Sequence, residues 1–107
     1  MHFSTIIAAL APVSLISAYT IQYSKQYCSQ TRTISVQYNA NLGSCYNVDG
    51  AASYQFFDVA SGGSWVCDAY SGSNCQGNAE ADVSNDSNSD CNTSQIGWIY
   101  SFKCYLK

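Results

Sequence analysis

At 107 residues, with four basic and seven acidic side chains and a net charge of −3, the chain has room for a single domain. Its one arginine and three lysines are scattered, so no basic stripe is available to follow phosphates or an anionic bilayer, and nucleic-acid binding and cationic membrane disruption are disfavoured. Six cysteines, Cys28, Cys45, Cys67, Cys75, Cys91 and Cys104, are an even set in a short chain and read as three disulfides. With no Cys-x-x-Cys pair and one histidine, His2, near the start, a zinc site is not expected, nor any other cofactor.

Residues 1–18 read as a signal peptide. The apolar run over residues 6–16 is too short to span a bilayer, and Ser17-Ala18 supplies small residues for cleavage before Tyr19. A secreted, extracellular mature chain of residues 19–107 is expected, which keeps all six cysteines and loses the histidine.

Within residues 19–23, Tyr19, Ile21 and Tyr23 alternate with Thr20 and Gln22, the period of a half-buried strand. Residues 28–32 are polar and read as a turn. Residues 33–38 alternate again, with Ile34, Val36 and Tyr38 on one face. Residues 39–44 supply turn chemistry before a short third strand over residues 45–48. Asp49-Gly50 signals another turn, and aromatic-rich residues 53–59 make a fourth strand.

Ser61-Gly62-Gly63-Ser64 then connects to Trp65-Val66-Cys67-Asp68-Ala69-Tyr70, a strand that runs into the turn Ser71-Gly72-Ser73-Asn74-Cys75. Residues 76–92 carry Glu80, Asp82, Asp86 and Asp90 among Ser and Asn, and read as a long loop with at most one short strand around Ala81-Asp82-Val83. Residues 96–106 close the chain as a strong strand. No stretch sustains a helical period, so the fold class is all-β.

The two halves echo one another. Tyr23, Ser24 and Cys28 recur 47 residues later as Tyr70, Ser71 and Cys75. Cys45 recurs as Cys91, and Ser53-Tyr54-Gln55-Phe56 corresponds to Ser101-Phe102-Lys103-Cys104. Two copies of about four strands, residues 19–60 and 61–107, are what a duplicated Greek-key sandwich leaves in a sequence. If the halves are equivalent, symmetry pairs Cys28 with Cys45 and Cys75 with Cys91, leaving Cys67 for Cys104. The first half, with no counterpart of that last pair, is expected to lean on Ile34, Val36, Tyr54, Phe56 and Phe57 for its core.

The segments Cys67-Asp68-Ala69-Tyr70-Ser71-Gly72-Ser73-Asn74-Cys75-Gln76-Gly77 and Tyr100-Ser101-Phe102-Lys103-Cys104 resemble the βγ-crystallin-like small secreted cysteine-rich proteins of fungi. That resemblance implies a two-motif Greek-key sandwich exported by a fungus, often an effector, antimicrobial or cell-surface protein without enzymatic activity. The family's calcium motif departs here. Val48-Asp49-Gly50-Ala51-Ala52-Ser53 keeps one acidic ligand and Ile96-Gly97-Trp98-Ile99-Tyr100-Ser101 keeps none, so calcium is not expected at a site that needs several oxygen ligands.

Asn85-Asp86-Ser87 and Asn92-Thr93-Ser94 are glycosylation sequons at Asn85 and Asn92. With no histidine in the mature chain, Ser-His and Cys-His nucleophile pairs are excluded. Paired carboxylates, Glu80 with Asp82 or Asp58 with Asp68, remain as a formal hydrolase alternative that needs a cleft to raise one pKa. Most of Tyr23, Trp65, Tyr70, Trp98, Tyr100 and Phe102 are expected in the core, while Tyr27, Tyr46 and Tyr105 are candidates for an exposed contact patch.

The reading is a disulfide-stapled, monomeric, non-enzymatic binding protein, effector-like or cell-surface, that contacts an extracellular protein or glycan. An antimicrobial or killer-type toxin is the alternative, weakened by the negative charge.

Overall fold

The computed structural model describes residues 18–59, 65–84 and 89–106. Eight strands run through them: β1 (Ala18–Ser24), β2 (Ser35–Asn41), β3 (Cys45–Ala51), β4 (Ser53–Phe57), β5 (Trp65–Tyr70), β6 (Ala79–Ser84), β7 (Asn92–Thr93) and β8 (Ile99–Leu106). They form two four-stranded antiparallel sheets, ordered β2-β1-β4-β7 and β3-β8-β5-β6. The residues expected to be extended are extended for the expected reason: β5 alternates Trp65, Cys67 and Ala69 inward with Val66, Asp68 and Tyr70 half-buried.

Advancing each strand by four places turns the order of the first sheet into that of the second. Three strands of each half therefore stay together, and the third strand crosses to the other half's sheet. β3 pairs with β8, Tyr46 facing Phe102, and β7 pairs with β4, Asn92 facing Tyr54. Neither half can close its sheet without the other.

This exchange overturns two of the three expected disulfides. The pairs are Cys28–Cys91, Cys45–Cys75 and Cys67–Cys104. The equivalence of Cys28 with Cys75 and of Cys45 with Cys91 holds, but each bond joins the halves instead of lying within one. Because β3 leaves its own half, Cys45 arrives beside the β5–β6 hairpin that carries Cys75. Cys91, at the head of β7, likewise arrives beside the β1–β2 hairpin that carries Cys28. Cys67 and Cys104 sit directly opposite one another on β5 and β8, as expected.

Both sheets contribute to one core. Tyr19, Ile21, Tyr54 and Phe56 come from the first and Trp65, Cys67, Ala69, Ile99, Phe102 and Cys104 from the second. Phe102 meets Tyr54 and Phe56 edge-on, with ring centroids at 5.3 and 5.7 Å, and Phe56 meets Trp65 at 6.2 Å, arrangements that aromatic quadrupoles favour. The first half's core differs from expectation. Tyr54 and Phe56 are buried, but Val36 and Phe57 are half-buried, and Ile34, ahead of the edge strand β2, is exposed.

A buried serine holds each hairpin down. Ser53 Oγ donates to the Gln26 carbonyl at 2.6 Å. Ser101 Oγ donates to the Gly72 carbonyl at 2.6 Å and accepts from the Cys75 N–H at 2.9 Å. Both serines are fully buried, and these bonds offset the cost of taking their hydroxyls out of water.

Two turn readings change. Asp49-Gly50 lies inside β3, where the register with β8 slips between Asn47 and Ala51, so the glycine with φ of +117° serves a bulge rather than a hairpin. The polar segment before β7 contains a six-residue strand, β6, longer than expected. Of the expected leader only Ala18 is described, and it pairs with Asn41 at the start of β1.

Candidate functional site

A groove of about 380 Å³ opens where three connections meet. Lys25 and Tyr27 come from the β1–β2 hairpin, Ala52 from the one-residue β3–β4 link, and Ser94, Gln95, Gly97 and Trp98 from the β7–β8 connection. Its size lies within the range of small-ligand sites, about 300–1,000 Å³. Tyr27 is 53% exposed and Trp98 51% exposed, so two large aromatic side chains stand in solvent on a shared depression.

The frame beneath them is fixed from several sides. Cys28, next to Tyr27, is bonded to Cys91, and its N–H donates to Thr93 Oγ1 at 3.1 Å. The Tyr27 N–H donates to Gln30 Oε1 at 2.8 Å. In the opposite wall, Ser94 Oγ donates to the Gly97 carbonyl at 2.6 Å and accepts from the Ile96 N–H, while the Ser94 N–H donates to the Ala52 carbonyl at 2.9 Å. The Gln95 N–H donates to Glu80 Oε1 at 2.9 Å. Backbone and disulfide thus hold both walls, and the side chains of Tyr27, Gln95 and Trp98 make no hydrogen bond within the described residues.

Gly50 makes room for the floor. A Cβ there would meet Lys25 Nζ at 3.4 Å, Tyr100 Cε1 at 3.6 Å and Trp98 Cε3 at 3.8 Å, on a backbone of positive φ. The bulge therefore lets Trp98 lie close over β3. Lys25 is committed nearby: its Nζ donates to the Asp49 carbonyl at 3.0 Å and lies 3.7 Å from the Asp49 carboxylate.

The expected patch of Tyr27, Tyr46 and Tyr105 is not one surface. Tyr27 belongs to the groove. Tyr46, opposite Phe102, packs against the core and its hydroxyl accepts from the Asn41 N–H at 2.7 Å. Tyr105 is on the side of β8 away from Cys104, with its hydroxyl donating to Asp68 Oδ2 at 2.9 Å, and that bond raises its pKa. Alternation along three different strands and loops sends the three rings in three directions.

Trp98, which belongs to the site, is a residue that sequence reasoning assigned to the core. The signal that opposes that assignment is Gly97 just before it: with φ of +88° and open space above its Cα, it turns the chain out ahead of β8. Tyr100 is exposed as well, whereas Trp65 and Phe102 are buried as expected.

The acidic candidates are used in structure. Glu80 and Asp82 lie opposite the buried Ala69 and Cys67 and so turn toward the other sheet. Glu80 accepts from the Tyr54 hydroxyl of β4 and from the Gln95 N–H. Asp82 accepts from Asn92 Nδ2 at 2.9 Å, and its pKa is raised, mainly by burial. Burial, followed by the hydrogen bond to Glu80, pushes the Tyr54 hydroxyl far up. Asp68 takes both the Tyr105 and Tyr70 hydroxyls, while Asp58 is exposed beyond β4. Among the described residues no group of three or more His, Cys, Asp or Glu is placed to hold a metal.

Asn92 Nδ2 donates both to Asp82 and to the Asp90 carbonyl. A glycan replaces one of its two amide hydrogens, so at most one of those bonds survives glycosylation. Asn85 lies outside the described residues. No helix among the described residues is long and apolar enough to cross a membrane, and three disulfides in a small domain are consistent with an extracellular protein.

No family model matches the chain, and no curated protein or solved structure does either. What the molecule does has to be read from the groove.

Proposed function

We propose that this is a secreted, monomeric binding protein, built from two βγ-crystallin-like Greek-key motifs over residues 19–60 and 61–107, that acts by contact rather than catalysis. Its role is effector-like or at a cell surface, and its partner is an extracellular protein or glycan. The observation that carries the reading is the groove between Tyr27 and Trp98: two solvent-facing aromatics on walls held by a disulfide and by main-chain hydrogen bonds. Ordering exposed aromatics in advance lowers the entropy cost of binding, and tyrosine and tryptophan dominate the energetics of contact surfaces.

The test is capture of ligands by immobilised, oxidised residues 19–107 from a glycan array and from a mixed extracellular protein extract. A saturable ligand held by the wild type and lost by the Tyr27→Ala/Trp98→Ala double variant is the expected result. A ligand held equally by both proteins places binding elsewhere and sinks the groove. No ligand from either source, together with growth inhibition of fungal or bacterial cells, replaces the binding protein with a toxin.

A further inference from the structure

Building on the binding-protein reading, we infer that the Tyr27–Trp98 groove takes an uncharged saccharide, with pyranose rings of gluco configuration laid against the aromatic faces. Three features of the groove select that chemistry together.

First, the hydrogen-bonding groups left over are neutral. Tyr27 Oη, Trp98 Nε1 and the Gln95 carboxamide make no hydrogen bond to another described residue. Between them they offer donors and acceptors without net charge. Second, the one charged lining residue, Lys25, already has the Asp49 carboxylate at 3.7 Å and the Asp49 carbonyl at 3.0 Å. An anionic ligand such as a phosphate or sulfate ester would find its cation partnered and the Asp49 carboxylate beside it, in a chain of net charge −3. Third, the rim beside the two rings is small and mostly polar, formed by Ser94, Gln95 and Gly97. A protein partner of ordinary interface size buries about 800 Å² on each side around a desolvated centre, more than a groove flanked by two rings supplies.

A ligand that fits must present apolar C–H surface to the electron-rich ring faces and hydroxyls to the neutral rim. In a β-gluco-configured pyranose every ring hydroxyl is equatorial and the axial positions carry hydrogen, so the flat faces are C–H and the edge is hydroxyl. Gly97 leaves the approach unobstructed, since nothing lies within 4 Å of where a Cβ would stand.

The experiment uses the tryptophans as reporters. Trp65 is fully buried and Trp98 half exposed, so fluorescence quenched by acrylamide in the oxidised protein comes from Trp98. The probes are cello-, laminari- and chito-oligosaccharides, a galacto-configured oligosaccharide whose axial hydroxyl interrupts one face, and heparin as the anionic control. The expected result is saturable protection of Trp98 by one of the gluco-configured probes and weaker protection by the galacto probe and heparin. Affinity should fall about tenfold in Tyr27→Ala and in Trp98→Ala, each read by calorimetry, and recover in Trp98→Phe. Urea midpoints close to the wild type's and intact disulfides certify that these surface variants are folded.

Protection by heparin alone overturns the inference, and so does the absence of protection by every saccharide. In the latter case, an extract protein held by the wild type and lost by Trp98→Ala leaves the binding-protein reading standing without its glycan. Capture of nothing at all overturns both.

Discussion

The two halves of this molecule are built on one plan and differ where the plan is interrupted. The second hairpin, between β5 and β6, is closed on itself and on its neighbour. Asn74 and Asn47 exchange hydrogen bonds at 2.7 and 3.0 Å, Cys75 is bonded to Cys45, and Gly72 is tied to Gln76 and to Ser101. The first hairpin is fastened by the equivalent disulfide and the equivalent serine, yet it ends in an exposed tyrosine. The connections behind the hairpins account for the difference. β3 passes to β4 through Ala52 alone, whereas β7 reaches β8 through Ser94, Gln95, Ile96, Gly97 and Trp98. A one-residue link cannot make a wall and a five-residue one can, so the groove exists on one side of the pseudosymmetric frame.

The shared frame is the first thing to break. Removing Cys28–Cys91 by double alanine substitution, or Cys45–Cys75 likewise, should each cost about 4 kcal/mol on the chain-entropy account, the first about 0.7 kcal/mol more because its loop spans 63 residues against 30. Denaturant midpoints measure this, and non-reducing peptide mapping should return the inter-half pairs. Recovery of Cys28–Cys45 would refute the exchange of third strands.

Below that in size come the two serines. Ser101→Ala strands both the Gly72 carbonyl and the Cys75 N–H and should cost about 2–3 kcal/mol, against about 1–2 kcal/mol for Ser53→Ala, which releases the Gln26 carbonyl. Equal losses in urea titrations would mean that the second hairpin is no more tightly held than the first.

The inward acids of β6 have a smaller, pH-dependent effect. Burial raises the pKa of Asp82 in the folded chain, so between its unfolded value near 3.9 and its raised folded value the folded state binds more protons. Its contribution to stability is greatest below that window and is lost as pH rises through it. Asp82→Asn lacks this loss, so the variant should gain on the wild type from pH 4 upward and then hold a constant difference; midpoints measured from pH 3 to 8 that run parallel would contradict the burial. An inward charge on an edge strand also discourages a second sheet from pairing with it.

Smallest of all is the effect of the groove residues on the fold. Tyr27→Ala and Trp98→Ala should shift stability by no more than about 0.5 kcal/mol, while Phe102→Ala, in the centre of the aromatic core, should cost about 3–5 kcal/mol. A large loss on removing Trp98 would make it a packing residue and close the groove as a site.

Much of the fold was legible from period-two alternation and turn residues, because these act over a few neighbouring positions. Tyr19, Ile21 and Tyr23, and Trp65, Cys67 and Ala69, mark their strands without outside help. The site was less legible. Trp98 sits at the head of a strand-like run in which burial does not alternate: Ile99, Ser101 and Phe102 are all buried, and Tyr100 between them is exposed. The cause is the bulge in β3, which slips the register opposite those residues. A bulge depends on what the strand pairs with, and β3, the bulged partner of β8, lies 48 to 58 residues upstream.

The sequence by itself determined the all-β class, the internal repeat, which cysteines are equivalent and which residues are able to fill a core. All of these follow from side-chain chemistry repeated at short or fixed spacing. Read from symmetry, Cys28 pairs with Cys45 and Cys75 with Cys91, yet equivalence permits bonds between the halves as well as within them. The tertiary structure decided that by carrying β3 and β7 across to the opposite sheets, and the same crossing placed the β7–β8 connection against the first hairpin. Long-range strand exchange has no local signature, because each exchanged strand satisfies its hydrogen bonds with whichever edge it meets.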